Sequence, residues 1–152
     1  MAEILKHPKV LELDSAYTSN DRDFEYLIDG FRRNYEGHEA GKHVSIVAKL
    51  DGVPVGFLGI YRHGPPRTHV GDVGIAVHPD HWRKGIGTEM MKMGTDHAKK
   101  IGFVRLEADT LLKNWGMRRL AEMFGFEQEG IREKYVNMYG TLEDIVLQAL
   151  IL

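Results

Sequence analysis

From Ile75 to Thr88 the chain reads Ile-Ala-Val-His-Pro-Asp-His-Trp-Arg-Lys-Gly-Ile-Gly-Thr, and here its residue types and spacing point most directly to chemistry. An apolar strand ending at Val77 runs through a basic loop with two glycines into a helix. The start of a helix presents backbone N–H groups without intrahelical partners and roughly half a unit of positive charge, and glycine lets an anion reach that backbone with no Cβ in the way. Arg83 and Lys84 add positive charge beside it. The plainer alternative is a helix start in which Gly85 and Gly87 only turn the chain. The stretch lacks the Gly-Lys-Ser/Thr ending of a nucleotide-triphosphate loop, and Gly85-Ile86-Gly87 lacks the third glycine and acidic residue of a dinucleotide fingerprint. His78 and His81 stand three apart in the same loop. With no further ligands at a metal-binding spacing, no metal is expected there.

The elements that must position this loop can be read from periodicity. Thr18, Ser19 and Asn20 offer caps for an amphipathic helix with Phe24, Leu27, Ile28 and Phe31 on one face and Arg32 and Arg33 at its end. Residues Gly37 to Gly41 interrupt. Val44 to Leu50 and Val53 to Tyr61 read as a hairpin about Asp51-Gly52, and a third strand is expected over Thr68 to His78, after a loop forced by His63-Gly64-Pro65-Pro66. Ile86, Met90, Met93, His97 and Ile101 share a helical face, and Gly102 suits its left-handed end. Met90, Met91 and Met93 are read as core filler. Val104 to Thr110 alternates as a strand, with Leu106, Ala108 and Thr110 on one side and Arg105, Glu107 and Asp109 on the other. Asn114 caps a helix carrying Met117, Leu120, Ala121 and Phe124 and stopped by Gly125, with Arg118 and Arg119 on its solvated side. Ile131 to Met138 and Glu143 to Leu152 are two last strands. The expectation is one α/β domain over residues 1–152 with a mixed, mostly antiparallel sheet.

Composition narrows the class. The 152 residues carry 20 basic and 22 acidic side chains, so the basic footprint of a nucleic-acid binder is absent. Nine acidic and seven basic residues fall in residues 1–50, a local surplus that favours a cationic ligand. With no cysteine, disulfides, thiolate metal sites and a cysteine nucleophile are excluded, and a cytoplasmic setting fits. No apolar run is long enough for a membrane span, so no membrane partner is expected.

The loop from Trp82 to Gly87 resembles the acyl-CoA pyrophosphate loop of the GNAT superfamily of N-acetyltransferases, whose usual pattern is Gln or Arg, two residues, Gly, one residue, Gly or Ala. Trp82 stands at the first position, where an aromatic residue is familiar in the branch resembling ribosomal-protein alanine N-acetyltransferases. Asn114, the short helix after it and Gly125-Phe126 are similar to the family's second cofactor motif, and the ending through Asp144-Ile145-Val146-Leu147 resembles the same branch. The matches span about residues 43–152.

The resemblance implies a central parallel strand pair splayed around an acyl-CoA cleft. It implies main-chain contacts from Ile75, Ala76 and Val77 to pantetheine, with their side chains in the core. Trp82, Arg83, Lys84, Gly85, Ile86, Gly87, Thr88 and Asn114 would hold the rest of acetyl-CoA, the co-substrate. A backbone N–H near Val77 would stabilise the oxyanion formed when an amine attacks directly. An ammonium must first lose a proton, and Asp72 and Glu107 are the candidate bases because both can face the cleft. The tyrosine that commonly meets the leaving thiolate falls at Ala121. Tyr135, Tyr139 or water would take its part, or none is needed.

The expected activity is acetyl transfer to a primary amine, either a protein N-terminus or a small amino metabolite. The alternative is a non-catalytic acyl-CoA-binding module, which Ala121 favours. An RNA-binding domain ranks last for want of an aromatic and basic face. Exposed strand edges make a homodimer an expectation as well.

Overall fold

Two-residue turns set the outer hairpins. In the computed structural model, residues 2–13, 32–33 and 36–152 are described. Strand β1 (Val44–Leu50) meets β2 (Val53–Arg62) through Asp51 and Gly52, both with positive φ, and β5 (Glu127–Met138) meets β6 (Thr141–Ile151) through Tyr139 and Gly140, again both positive. Two successive left-handed residues match the twist of an antiparallel pair, which explains Asp-Gly and Tyr-Gly at these corners. With β3 (Val70–Val77) and β4 (Arg105–Leu111) they form one six-stranded sheet in the order β1-β2-β3-β4-β6-β5.

Among the described strands only β3 and β4 run parallel, and they pair over three positions: Val70 with Arg105, Gly71 with Leu106 and Asp72 with Glu107. Beyond Asp72, β3 pairs on its other edge with β2, Leu58 opposite Ile75 and Gly56 opposite Val77, while β4 continues against β6 to Leu111. The sheet is therefore open between the upper halves of β3 and β4.

Helices α1 (Ala2–Lys6) and α2 (Pro8–Leu11) lie at the N-terminus. Sequence periodicity gave no sign of either, because each is about one turn; α2 is fixed by Pro8 in its first turn and by His7, whose Nδ1 accepts the Lys9 N–H. Helix α3 (Ile86–Lys100) covers one face of the sheet with Met90, Met91, Gly94, Thr95 and Ala98. Gly94 lets it approach closely, since a Cβ there would stand 2.7 Å from Leu58 Cδ2. Met93 is 58% exposed, against its reading as core, because the buried stripe is centred on Gly94 and Ala98 and Met93 lies on its flank. Helix α4 (Trp115–Met123) buries Ala121 and leans Met117 and Leu120 on the same core, which also holds Leu58, Ile60, Phe103, Leu106, Ala108 and Phe126.

The helix expected from Thr18 lies outside the described residues, except that residues 32–33 are helical. Residues 36–39 make a helical turn where the sequence reading expected only an interruption. Tertiary contacts hold that turn: His38 Nδ1 accepts the Ser45 N–H and its ring lies 5.3 Å from that of His97 on α3. Strand β5 starts four residues earlier than expected, with register shifts at Gln128/Gly130 and Arg132/Val136 that blur its alternation. No helix among the described residues is long and apolar enough to cross a membrane.

Candidate active site

The upper end of the cleft is the loop from β3 to α3. Strand β3 stops at Val77, the His78 N–H donates to Val55 O at 2.8 Å, and a single 3₁₀ turn spans Pro79–His81. The Trp82 indole N–H donates to the Val77 carbonyl at 2.6 Å, folding the loop back over the strand it left. Arg83 and Gly85 both have positive φ, 59° and 82°, and this double left-handed bend aims the chain into α3. Trp82, Arg83, Lys84 and Gly85 are exposed. Gly85 is the N-cap and supplies no side-chain bond to the first turn, so the amides of Ile86, Gly87 and Thr88 have no side-chain cap.

The two glycines differ. A Cβ on Gly85 would meet nothing within 4 Å, whereas one on Gly87 would face inward to Leu120 Cδ2 at 3.5 Å and Ile75 Cδ1 at 3.8 Å. Open access to the backbone is thus at Gly85, whereas a Cβ on Gly87 would make ordinary contacts with Leu120 and Ile75. An uncapped helix start, exposed cations and a bare backbone fit a phosphate-bearing ligand. Below the loop, Ile75, Ala76 and Val77 are half-buried, with Ile75 and Val77 packed against the core, and among the described residues no strand pairs with β3 beyond Asp72 on its β4 edge.

Asn114 does two structural jobs. Its Oδ1 accepts the Met117 N–H at 3.1 Å as the cap of α4, and its Nδ2 donates to the Leu13 carbonyl at 3.1 Å. Trp115 beside it is 70% exposed, with the Arg118 guanidinium 4.4 Å from its ring centre. Arg118 is half-buried and donates to Leu112 O, so it is not part of the solvated face expected for it; Arg119 is exposed. Ala121 is fully buried.

The lower end of the cleft gathers charge on the face away from α3. Asp72 and Glu107 project there side by side as register partners. His63, the first residue after β2, brings Nε2 to 3.0 Å from Asp72 Oδ1 and 4.0 Å from Glu107 Oε2. That nitrogen is closed to solvent and lacks hydrogen-bond geometry with either carboxylate. Among the described residues this is the one group of three His or carboxylate ligand atoms lying within 4.8 Å of one another; the His78 and His81 rings are 5.8 Å apart and belong to no such group. His63 escaped the sequence reading, which used it only to start a loop. Its signal appears once Tyr61 is set opposite Asp72, because two residues along the same face is diagonal contact range.

Arg105 organises the carboxylates around this pair. Its Nε donates to Glu107 Oε1 at 2.7 Å and its other nitrogens to Glu129, which holds the guanidinium firmly protonated and the Glu129 carboxyl below the usual range. Asp109, two residues up β4, has its pKa raised by burial and then by Asp72 and Glu107, with Arg132 opposing at 3.3 Å. The sheet beside them carries two glycines. Gly59 and Gly74 are register partners on β2 and β3, and a Cβ on Gly59 would fall 2.2 Å from the Tyr61 hydroxyl, so the Tyr61 ring lies across that bare stretch of sheet. His43 meets Tyr61 edge-on at 5.9 Å. Its pKa is lowered by burial and by Arg62 and Lys42.

The fold that holds this cleft is shared with known proteins. The Brucella melitensis ribosomal-protein-alanine N-acetyltransferase superposes with a TM-score of 0.79 at 19% identity, covering 95% of this chain and 93% of that one. YncA of Salmonella typhimurium, solved with its cofactor acetyl-CoA, superposes with a TM-score of 0.78 at 23% identity, over 88% of this chain and 77% of that one. The probable N-acetyltransferase YjcK of Bacillus subtilis is 29% identical over 103 residues, 67% of this chain; the match spans 57% of YjcK's own length. The acetyltransferase (GNAT) family profile matches residues 8–126, most of the chain and both walls of the cleft, and the chain belongs to that family.

Proposed function

We propose that the protein transfers the acetyl group of acetyl-CoA to a primary amine by direct attack within a ternary complex. The observation that carries this reading is the three-pair register of β3 and β4, which opens the sheet between the loop at Gly85 and the carboxylates at Asp72 and Glu107. YncA, solved with acetyl-CoA, shares the fold and supports the choice of co-substrate.

In this reading the uncapped amides of Ile86, Gly87 and Thr88, with Trp82, Arg83, Lys84 and Gly85, hold the pyrophosphate. The unpaired edge of Ile75, Ala76 and Val77 takes the pantetheine amides, and a backbone N–H near Val77 meets the carbonyl oxygen as negative charge develops there. Bound acetyl-CoA supplies an activated thioester. The chain's own task is to deliver an uncharged amine, and Glu107 is the better-placed base of the two. Arg105 fixes one of its oxygens and leaves Oε2 to accept a proton, while Asp72 is more exposed and faces His63. Asn114 acts through the start of α4, since both ends of its amide are engaged. The acceptor is a protein N-terminus or a small amino metabolite, and its ammonium is drawn to a face where Asp72, Glu107, Asp109 and Glu129 outnumber Arg105 and Arg132. The same reading puts the protein in the cytoplasm, with its co-substrate.

Calorimetric titration with acetyl-CoA and with CoA tests the first half, and thiol release with spermidine, phenethylamine and alaninamide as acceptors tests the second. Binding that depends on Gly85 together with amine-dependent thiol release is the expected result. A native chain that does not bind acetyl-CoA would sink the reading. Ala121, fully buried and without a hydroxyl, favours a second reading, an acyl-CoA-binding module without turnover. Binding without thiol release from any amine selects it.

A further inference from the structure

The group that finally holds the acceptor's proton is missing from the account above, and His63 is placed to be that group. A carboxylate that takes a proton from an ammonium must pass it on before the next turnover, because an alkylamine is by far the stronger base. Glu107 has one oxygen on Arg105, at 2.7 Å, and its other oxygen is 4.0 Å from His63 Nε2. The same nitrogen is 3.0 Å from Asp72 Oδ1 and closed to solvent. Asp72 Oδ1 is thus the carboxylate oxygen placed to pair with a proton that arrives at Nε2. The His63 backbone N–H donates to Val70 O at 3.0 Å, which ties the residue to the foot of β3.

We propose that His63 is the proton relay of the cleft: its Nε2 takes the proton that Glu107 removes from the acceptor ammonium, and Asp72 holds the resulting imidazolium. The inference rests on the acetyl-transfer reading. One N–H bond of the ammonium breaks and its proton passes through Glu107 to His63. The amine nitrogen then forms its bond to the thioester carbon as the carbon–sulfur bond breaks. The second N–H proton leaves with the thiolate sulfur as CoA thiol. The first proton leaves His63 for water by way of Asp72, which is 58% exposed, so each turnover releases one proton, as the overall reaction requires. Asp72 and Glu107 thereby have different tasks, Glu107 touching the acceptor and Asp72 acting through His63.

The test compares His63→Gln and His63→Ala with the wild type in acetyl-CoA affinity by calorimetry and in steady-state thiol release with the same three amines. His63→Gln keeps a donor beside Asp72 and cannot take a proton. We expect both variants to bind acetyl-CoA as the wild type does and to lose kcat by about a hundredfold, the lower end of the range for proton-transfer groups, with KM little changed. Imidazole added to the buffer should restore part of the rate of His63→Ala and leave His63→Gln unchanged. A His63→Gln variant that turns over like the wild type overturns the relay while leaving acetyl transfer standing. Loss of acetyl-CoA binding in step with activity, with no response to imidazole, overturns it in favour of a structural role. Failure of the wild type to release thiol with any of the amines overturns acetyl transfer and the relay with it.

Discussion

Asp72 and Glu107 are the last register partners of β3 and β4, so the two carboxylates stand at the point where the parallel strands part. Their surroundings nevertheless differ. Glu107 is one-quarter exposed and tied to Arg105, whereas Asp72 is 58% exposed with His63 at 3.0 Å. Glu107→Gln should lower kcat about 10²- to 10⁴-fold, as removal of a general base does, and leave acetyl-CoA affinity unchanged. Asp72→Asn should cost less, because it stabilises the relay and does not touch the amine. Steady-state thiol release for both variants checks the order, and equal losses would assign Asp72 a direct role.

The two loop glycines should separate in the same way. Gly85 has φ +82° and open space around it, so Gly85→Ala should cost ~1–2 kcal/mol for the left-handed backbone and also weaken acetyl-CoA binding. Gly87 is already helical and its Cβ direction points to Leu120 at ordinary contact distance. Gly87→Ala should therefore raise stability by up to ~1 kcal/mol and leave affinity unchanged. Thermal melts and calorimetry on the two variants distinguish these outcomes, and an equal loss of affinity at Gly87 would mean that the ligand approaches from the Leu120 side.

Local signals carried most of this architecture. Asp51-Gly52 and Gly102 announced their turns because a left-handed residue leaves its mark in the residue type itself, and Glu107 and Asp109 declared a common face by alternation. What stayed hidden depends on partners far apart in the chain. The contact of His63 with Glu107 spans two strands that are not consecutive in the sequence, and it follows only from the registers of β2 with β3 and β3 with β4. Asn114 read as a cofactor residue because its position fits a motif; its bond to Leu13 O reaches across about a hundred residues. Met93 and Arg118 were misjudged for one reason, that helical periodicity gives a face to within one flank and the neighbouring elements decide the rest.

His43 gives the fold a dependence on acid. Its Nδ1 accepts the Arg62 N–H at 3.0 Å, which requires that nitrogen to be unprotonated, and burial with Arg62 and Lys42 lowers its pKa from 6.5. The folded state binds this proton more weakly than the unfolded chain does. The stabilisation is complete above the unfolded value and is lost as pH falls through the lower folded value. His43→Gln, which keeps an acceptor and does not titrate, should flatten the fall in melting temperature as pH drops from 7.5 to 5. Parallel wild-type and variant curves over that interval would remove His43 from the account.

Asp109 should behave in the opposite sense. Burial raises its pKa first, and the charges of Asp72 and Glu107 add to that, with the Arg132 pair at 3.3 Å opposing. A carboxyl whose folded value lies above its unfolded value favours the protonated form in the fold. Its ionisation therefore costs stability as pH rises through the unfolded and then the folded value, and the full cost persists above the folded one. Asp109→Asn removes this cost while keeping the shape, so the variant should melt higher than the wild type at pH 8, with the difference shrinking towards pH 4. The side chain is half exposed and water screens the repulsion, so the gain should be small. A variant that melts lower at pH 8 would show that attraction to Arg132 outweighs burial and the two neighbouring carboxylates. In that case the cleft would be less acidic than its residue count implies, and the preference proposed for a cationic acceptor would weaken with it.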